Sequence, residues 1–209
     1  MESEKFNISD IYPLIYSAKV AKASIIDVPA LRIMAISGEG EPNGPRFRDS
    51  VEALYSIAYA INFMPKKGNT PEGFVSFRVS ALEALWSMKN GKPYDASDGG
   101  NLIWEVFIVV PGFVTQGVVN MAVSMTLGIK PNPRYNDIHI SSLQEKKSAQ
   151  ILHFGSYSTA IGDIKTLASY IKKRGYKAVL RHHEIYLSDP TRSKSGRVKT
   201  IIRQPIVRI

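Results

Sequence analysis

A chain of 209 residues with 44% hydrophobic and 22% charged residues can bury a substantial core, and that balance excludes a disordered polymer. The lack of cysteine excludes disulfides, thiolate metal sites and a cysteine nucleophile. Lys and Arg outnumber Asp and Glu by 27 to 18, a net charge of +9 that raises nucleic acid as a partner, but much of the excess is threaded through apparent strands and turns of the last third, a weak footprint, and no nucleic-acid partner is expected. No apolar run approaches the ~18 residues of a membrane span, and the opening MESEKFNISD lacks the basic and apolar regions of a signal peptide. A soluble, cytoplasmic protein is expected.

In chain order, Val28 to Gly40 predicts a strand ending in a glycine turn. The Gly38, Gly40, Gly44 cluster lacks both the Gly-Lys-Ser/Thr ending of a phosphate loop and the dinucleotide spacing. Phe47 to Phe63 predicts a helix that buries Val51, Leu54, Tyr55, Ala58 and Ile61. A Pro/Gly loop over Lys66 to Gly73 ends it, and Phe74 to Met88 reads as a strand. A polar hairpin connection leads to a second strand, Leu102 to Val110, stopped by Pro111 and paired antiparallel with the first. Val114 to Leu127 predicts a helix with Val114, Val118, Met121, Ala122 and Met125 on one side, ended by Gly128. A strand over Ala149 to Ser158, a helix over Thr159 to Arg174 and strands over Leu180 to Asp189 and Val198 to Ile209 complete the chain.

Both halves therefore read strand, helix, strand, strand. Laying Leu82-Glu83-Ala84-Leu85-Trp86 over His183-Glu184-Ile185-Tyr186-Leu187 matches Glu83 to Glu184 at an offset of 101 residues. The expected fold is α+β: one domain over residues 1–209, built from duplicated βαββ units (about 28–127 and 149–209) with pseudo-twofold symmetry. Helices lie on one side and a ligand cleft lies between the repeats. The helix-free face is expected to be open and concave, with Glu83 and Glu184 entering it from opposite sides.

The stretch HHEIYLSDPT, from His182, is the most informative. Alternation places Glu184 and Tyr186 on one face and His183, Ile185 and Leu187 on the other. Enclosed by aromatic rings, a carboxylate beside a phenol can hold a proton, receive a cation or bind the polar end of a flat molecule; facing water, the two are ordinary surface residues.

VPALRIMAISGEGEPNG, ALEALW, LIWEVFIVVPGFV, QILHFGSYS and HHEIYLSDPTR, in this order, resemble the GyrI-like small-molecule-binding domain. The resemblance runs from roughly residue 8 to the end and implies a cleft between repeats, lined by aromatics, with a buried Glu that faces hydrophobic and often cationic compounds. The family's Glu-x-Tyr pair falls on Glu184 and Tyr186. The C-terminal motif is similar to that of a stand-alone branch implicated in hydrolysing the cyclopropane ring of DNA-alkylating antibiotics of the yatakemycin type. The chain departs from the family at His153-Phe154-Gly155-Ser156-Tyr157 and at Glu105, where a Thr is expected.

Adding water to a spirocyclopropane conjugated to a dienone requires a base or electrostatic partner for the water, a donor to the developing phenolate, and walls for the flat rings. Glu184 is the candidate for the first, with a pKa raised by burial, and Tyr186 for the second. Trp104, Phe113, Tyr55, Tyr59, Trp86 and Tyr157 are the candidate walls, with Glu83 also at the ligand; plain core packing is the alternative for each ring. No metal or cofactor is expected. The competing functions are a cofactor-free hydrolase, a non-catalytic drug-sequestering protein, and an interaction protein that works through its basic surface.

Overall fold

The computed structural model describes residues 5–42, 44–156, 159–179, 181–188 and 198–209. Its strands are β1 (Ser24–Val28), β2 (Leu31–Glu39), β3 (Leu82–Met88), β4 (Leu102–Val109), β5 (His139–Leu143), β6 (Lys146–Phe154), β7 (Tyr176–Ala178), β8 (His182–Tyr186) and β9 (Lys199–Arg208). They pair antiparallel in the order β1-β6-β9-β8-β3-β4-β2-β5, with β7 on the end of β9. The helices are α1 (Ile8–Ile11), α2 (Pro45–Phe63), α3 (Gln116–Leu127) and α4 (Ile161–Lys173).

Two short links shape the sheet. Pro29 and Ala30 join β1, at one end of the order, to β2, six places away; Gln144 and Glu145 join β5, at the other end, to β6, again six places away. Six places in a flat sheet span ~29 Å, whereas two linking residues reach at most ~11 Å. The sheet must therefore curl until its ends approach, as a half-barrel.

The duplication is visible residue by residue. Ile36, Val106 and Ala84 of the first half continue into Glu184, Ile202 and Ile151 of the second as one row across the sheet, with Ala84 opposite Glu184 at its centre. The strand preceding each unit pairs with the other unit, β1 with β6 and β5 with β2. These two strands escape a sequence reading because they are short and half-exposed, with little apolar contrast.

The observed register corrects the repeat alignment: Glu184 corresponds to Ala84, an offset of 100, and Glu83 corresponds to His183. A one-residue slip turns every side chain to the opposite face, so Glu83 does not share a cleft with Glu184. The strand expected over Phe74 to Met88 also shortens to its last seven residues. The backbone before it is engaged elsewhere. Phe6 N donates to Ser76 O and Arg78 N to Phe6 O, both at 2.9 Å, while the Asn62 side chain accepts from Phe77 N and donates to Phe77 O.

On the convex face, α2 buries Phe47, Leu54, Ile57, Ala58 and Ile61, at helical spacing, against Met34, Ile36, Ala84 and Val106. Pro45 at its start fits a first turn with no N–H partner. Thr115 caps α3 by accepting from Val118 N at 3.3 Å; that helix buries Val119 and Ala122, whereas Met121, expected inside, is exposed. α4 covers a separate core of Ala149, Ile151, Ile202 and Ile206 with Leu167 and Ile171; Ile161 of its first turn is exposed. The central pair β3 and β8 lies between these two covered regions.

The concave face, expected to be open, is filled in part, and a hollow of about 380 Å³ remains beside Ile33, Leu85, Glu105, Glu145 and Arg181. Ile8 and Ile15 of the N-terminal segment pack on Leu31, Ile33, Leu85, Phe107 and Val109. Beside them sit Glu83, His183 and Arg203, all at 0% exposure, with Glu145 at 5%. His183 Nδ1 donates to Glu145 Oε1 at 2.9 Å, and its Nε2 lies 2.9 Å from Glu83 Oε2, off the line of a good hydrogen bond. Arg203 Nη1 donates to Glu145 Oε2 at 3.4 Å, its Nε to Gln150 Oε1 and its Nη2 to Ile15 O; Tyr16 donates to Glu83 Oε1 at 2.7 Å. Both repeats, the β5–β6 link and the N-terminal segment thus meet at two carboxylates facing two cations.

Candidate functional site

Glu184 is the one charged residue in the apolar row across the convex face, 7% exposed and opposite Ala84. Its Oε2 accepts from Tyr186 at 2.9 Å, and its Oε1 from Tyr94 at 3.3 Å and His182 Nε2 at 3.2 Å. Tyr186 in turn accepts from Trp86 Nε1 at 3.3 Å. The Tyr94 ring stacks on His182 at 4.2 Å and 9°, and Phe47 stacks on Trp86 at 5.6 Å and 15°. The result is a carboxylate ringed by donors that are themselves aromatic.

Burial by itself raises the Glu184 carboxyl, but the His182 hydrogen bond and charge and the bonds from Tyr186 and Tyr94 hold it below the usual carboxylate range. This corrects the expectation of a raised pKa, which rests on burial alone: three donors reach the carboxylate and outweigh its burial. Burial, then the Glu184 charge, pushes the Tyr94 hydroxyl far above the phenol range, so it stays a donor. An ionised carboxylate has no proton to give, so His182 presents its N–H at Nε2.

Of the expected walls, Trp86 lies at this carboxylate through Tyr186 and stands 6.3 Å from the Tyr94 ring. Trp104 pairs with Trp86 across β3 and β4 and is fully buried, edge-on to Phe47 at 5.1 Å, so it backs the wall from within the core. Phe113 belongs to another ring group, with Phe74 and Phe77. Tyr55 is half-buried against the α2 core, and Tyr59, one turn on, is 52% exposed. Glu83 faces the concave side. Tyr157 lies outside the described residues, as do Asp189 and Pro190 of the HHEIYLSDPT stretch.

Tyr94, His182 and Phe47 were missed. The alternation that pairs Glu184 with Tyr186 also puts His182 on their face, so it was legible. Tyr94 comes from the loop before β4, where periodicity carries no signal. Glu105 projects away from Trp104, to the concave side, and pairs with Arg181 at 2.7 Å. His153 bonds Asp163 at 2.8 Å and Ser156 O at 2.9 Å, tying β6 to the first turn of α4.

Trp104 needs the absence of a side chain at Gly38. A Cβ there would fall 2.2–2.7 Å from three atoms of the indole ring. Gly38→Ala should cost about 1–3 kcal/mol by overpacking, read as a lower urea midpoint at unchanged slope. Wild-type stability would show that the indole can move aside.

The model of the GyrI-like small molecule binding domain matches residues 21–206. The chain belongs to this family. Two crystal structures described as hydrolases from Listeria innocua resemble this GyrI-like chain. One is 28% identical with a TM-score of 0.89 and the other 26% with 0.87; they cover 98% and 97% of this chain, and all of each of those chains is matched. An uncharacterized conserved protein from the same organism is 26% identical, with a TM-score of 0.89 over 97% of this chain and all of that one. The C-terminal domain of EcmrR shares the fold, with a TM-score of 0.58 at 13% identity over 90% of this chain and 98% of its own. No curated protein matches in sequence. GyrI-like membership makes a small molecule the expected partner, and no described helix is long and apolar enough to cross a membrane.

Proposed function

We propose that the chain binds flat hydrophobic or cationic compounds against Trp86, Tyr94 and Tyr186, and hydrolyses the strained cyclopropane of DNA-alkylating agents of the yatakemycin type. The observation that carries this reading is the ionised Glu184 carboxylate, enclosed by aromatic donors, on the convex face. The hydrolase description of the Listeria structures supports a water-adding reaction of some kind.

In the proposed step, water attacks the cyclopropane CH2. The C–C bond breaks, its electron pair passes through the dienone to the oxygen, and a phenolate forms. Glu184 takes the proton from the water, and the phenolate receives one, so the net change is addition of one water. Tyr186 connects the two ends: its hydroxyl hydrogen now points to Glu184 Oε2 and can turn to a ligand oxygen, freeing Oε2 to accept from water. Trp86 Nε1 donates to the same hydroxyl, which strengthens Tyr186 as a donor. The rings supply orientation and exclude bulk water.

Incubation with a cyclopropane-bearing alkylator, followed by mass spectrometry beside a no-protein control, tests the proposal. Accelerated gain of one water over many turnovers supports it; the control rate refutes it. Tyr186→Phe keeps the ring and removes the donor, so turnover should fall about 100-fold with ligand affinity changed by less than about threefold. Equal turnover would remove Tyr186 from the reaction. A second reading has support from the lowered Glu184 pKa, since a weakly basic carboxylate suits a fixed counter-charge. On that reading the chain sequesters cationic drugs, and tight binding without turnover is the result that selects it.

A further inference from the structure

A cavity of about 360 Å³ between α4 and the strands β7 to β9 takes no part in the proposed reaction. Ile164, Leu167 and Ile171 of α4, Ile202 of β9 and Tyr176 of β7 form apolar walls, and its volume is within the range of small-molecule sites. His182 lines it too, so the ring that holds Glu184 is a wall shared with the convex-face site. Lys172 and Lys177 also line it, as does Gln204; both lysines are exposed, which sets their ammonium groups at the solvent edge. No Asp or Glu lines the cavity among the described residues.

Further basic residues, which the proposed function leaves unexplained, stand near this edge: Lys173 and Arg174 follow Lys172 in the chain, and Arg208 lies over the Tyr176 ring at 6.0 Å. Lysines in the last turn of α4 also suit its dipole. That account covers Lys172 and Lys173 but neither Lys177, on β7, nor the apolar hollow beside it.

We propose that this cavity is a second binding site, for an amphiphilic organic anion. Its apolar body packs against Leu167, Ile171 and Ile202, and its carboxylate or sulfonate sits at Lys172 and Lys177. The charge preference is opposite to that of Glu184, and the inference stands whether or not Glu184 is catalytic.

Fluorescence titration of the full chain with 8-anilinonaphthalene-1-sulfonate tests it. Saturable binding is expected, weakened roughly tenfold by Lys172→Glu with Lys177→Glu and further by salt. Ala168→Trp, at an exposed lining position of α4, should abolish it while leaving the circular dichroism and thermal midpoint unchanged; Glu184→Gln should leave it intact. Decanoate should displace the dye at roughly tenfold lower concentration than decanol. Absent or unsaturable binding overturns the site, as does loss in Glu184→Gln with retention in Ala168→Trp. Equal displacement by acid and alcohol overturns its anion preference. Sedimentation of the chain with phosphatidylglycerol vesicles would overturn the assignment to a free ligand by pointing to a lipid surface.

Discussion

Glu184→Gln should lower ring opening by about 10²–10⁴-fold, the range for loss of a general base or equivalent electrostatic partner. Neutral flat ligands should still bind with affinity changed less than about threefold, because the aromatic surface is untouched. Cationic ligands should bind at least about tenfold more weakly, because their counter-charge is gone. The pH profile adds an independent check. Burial opposes ionisation of Glu184, but the bonds from His182, Tyr186 and Tyr94 win, so its folded pKa lies below the ordinary 4.5. Activity that needs the carboxylate ionised should therefore show no acid limb from this residue between pH 5 and 7, within the region where the fold is stable. An acid limb near neutrality that vanishes in Glu184→Gln would restore the raised pKa expected from burial alone. A wild-type rate in Glu184→Gln would remove the residue from catalysis, leaving the binding predictions to be judged separately.

The duplicated α+β units and their helices were legible because helical spacing marks α2 and α4 and because the two halves repeat, whereas the curl of the sheet, set by the links of β1 and β5, was not. The repeat was read one residue out of register, and the consequence is confined to Glu83. Sequence similarity between LEALW and HEIYL aligned the two glutamates, whereas pairing in the sheet aligns Glu184 with Ala84. Alternation within one strand survives such a slip, which is why Glu184, Tyr186 and the opposite facing of His183 were read correctly. Contacts between distant segments were not legible. Nothing local in Tyr94 or Tyr16 says that one meets Glu184 and the other Glu83, and no pattern shows that the N-terminal segment fills part of the concave face. The donors that reverse the shift of Glu184 come from such contacts in part, so an argument from burial alone had the sign wrong.

Glu145→Gln should destabilise the fold by about 3–5 kcal/mol, a large share of the ~5–15 kcal/mol that separates folded from unfolded domains. The substitution keeps size and shape but leaves His183 and Arg203 facing Glu83 with one carboxylate fewer, and all three of those residues are fully buried. The pH dependence identifies the cause. Burial acts against ionisation of both groups, yet the His183 charge and hydrogen bond lower Glu145 from 4.5, and the Glu145 charge and hydrogen bond raise His183 from 6.5. A lowered carboxyl stabilises fully above its unfolded value and loses that contribution as pH falls through the folded one. A raised imidazole stabilises fully below its unfolded value and loses it as pH rises through the folded one. The wild-type contribution is therefore greatest between about pH 4.5 and 6.5, declining on both sides. In Glu145→Gln the alkaline decline should be smaller and end at lower pH, because His183 has lost the first cause of its upward shift while its unfolded value is unchanged, and the acid decline should be shallower. Urea unfolding across pH measures both. A loss below about 1 kcal/mol with an unchanged pH profile would show that the cluster contributes little as ions, and that apolar packing around Leu85 and Phe107 holds the concave face by itself.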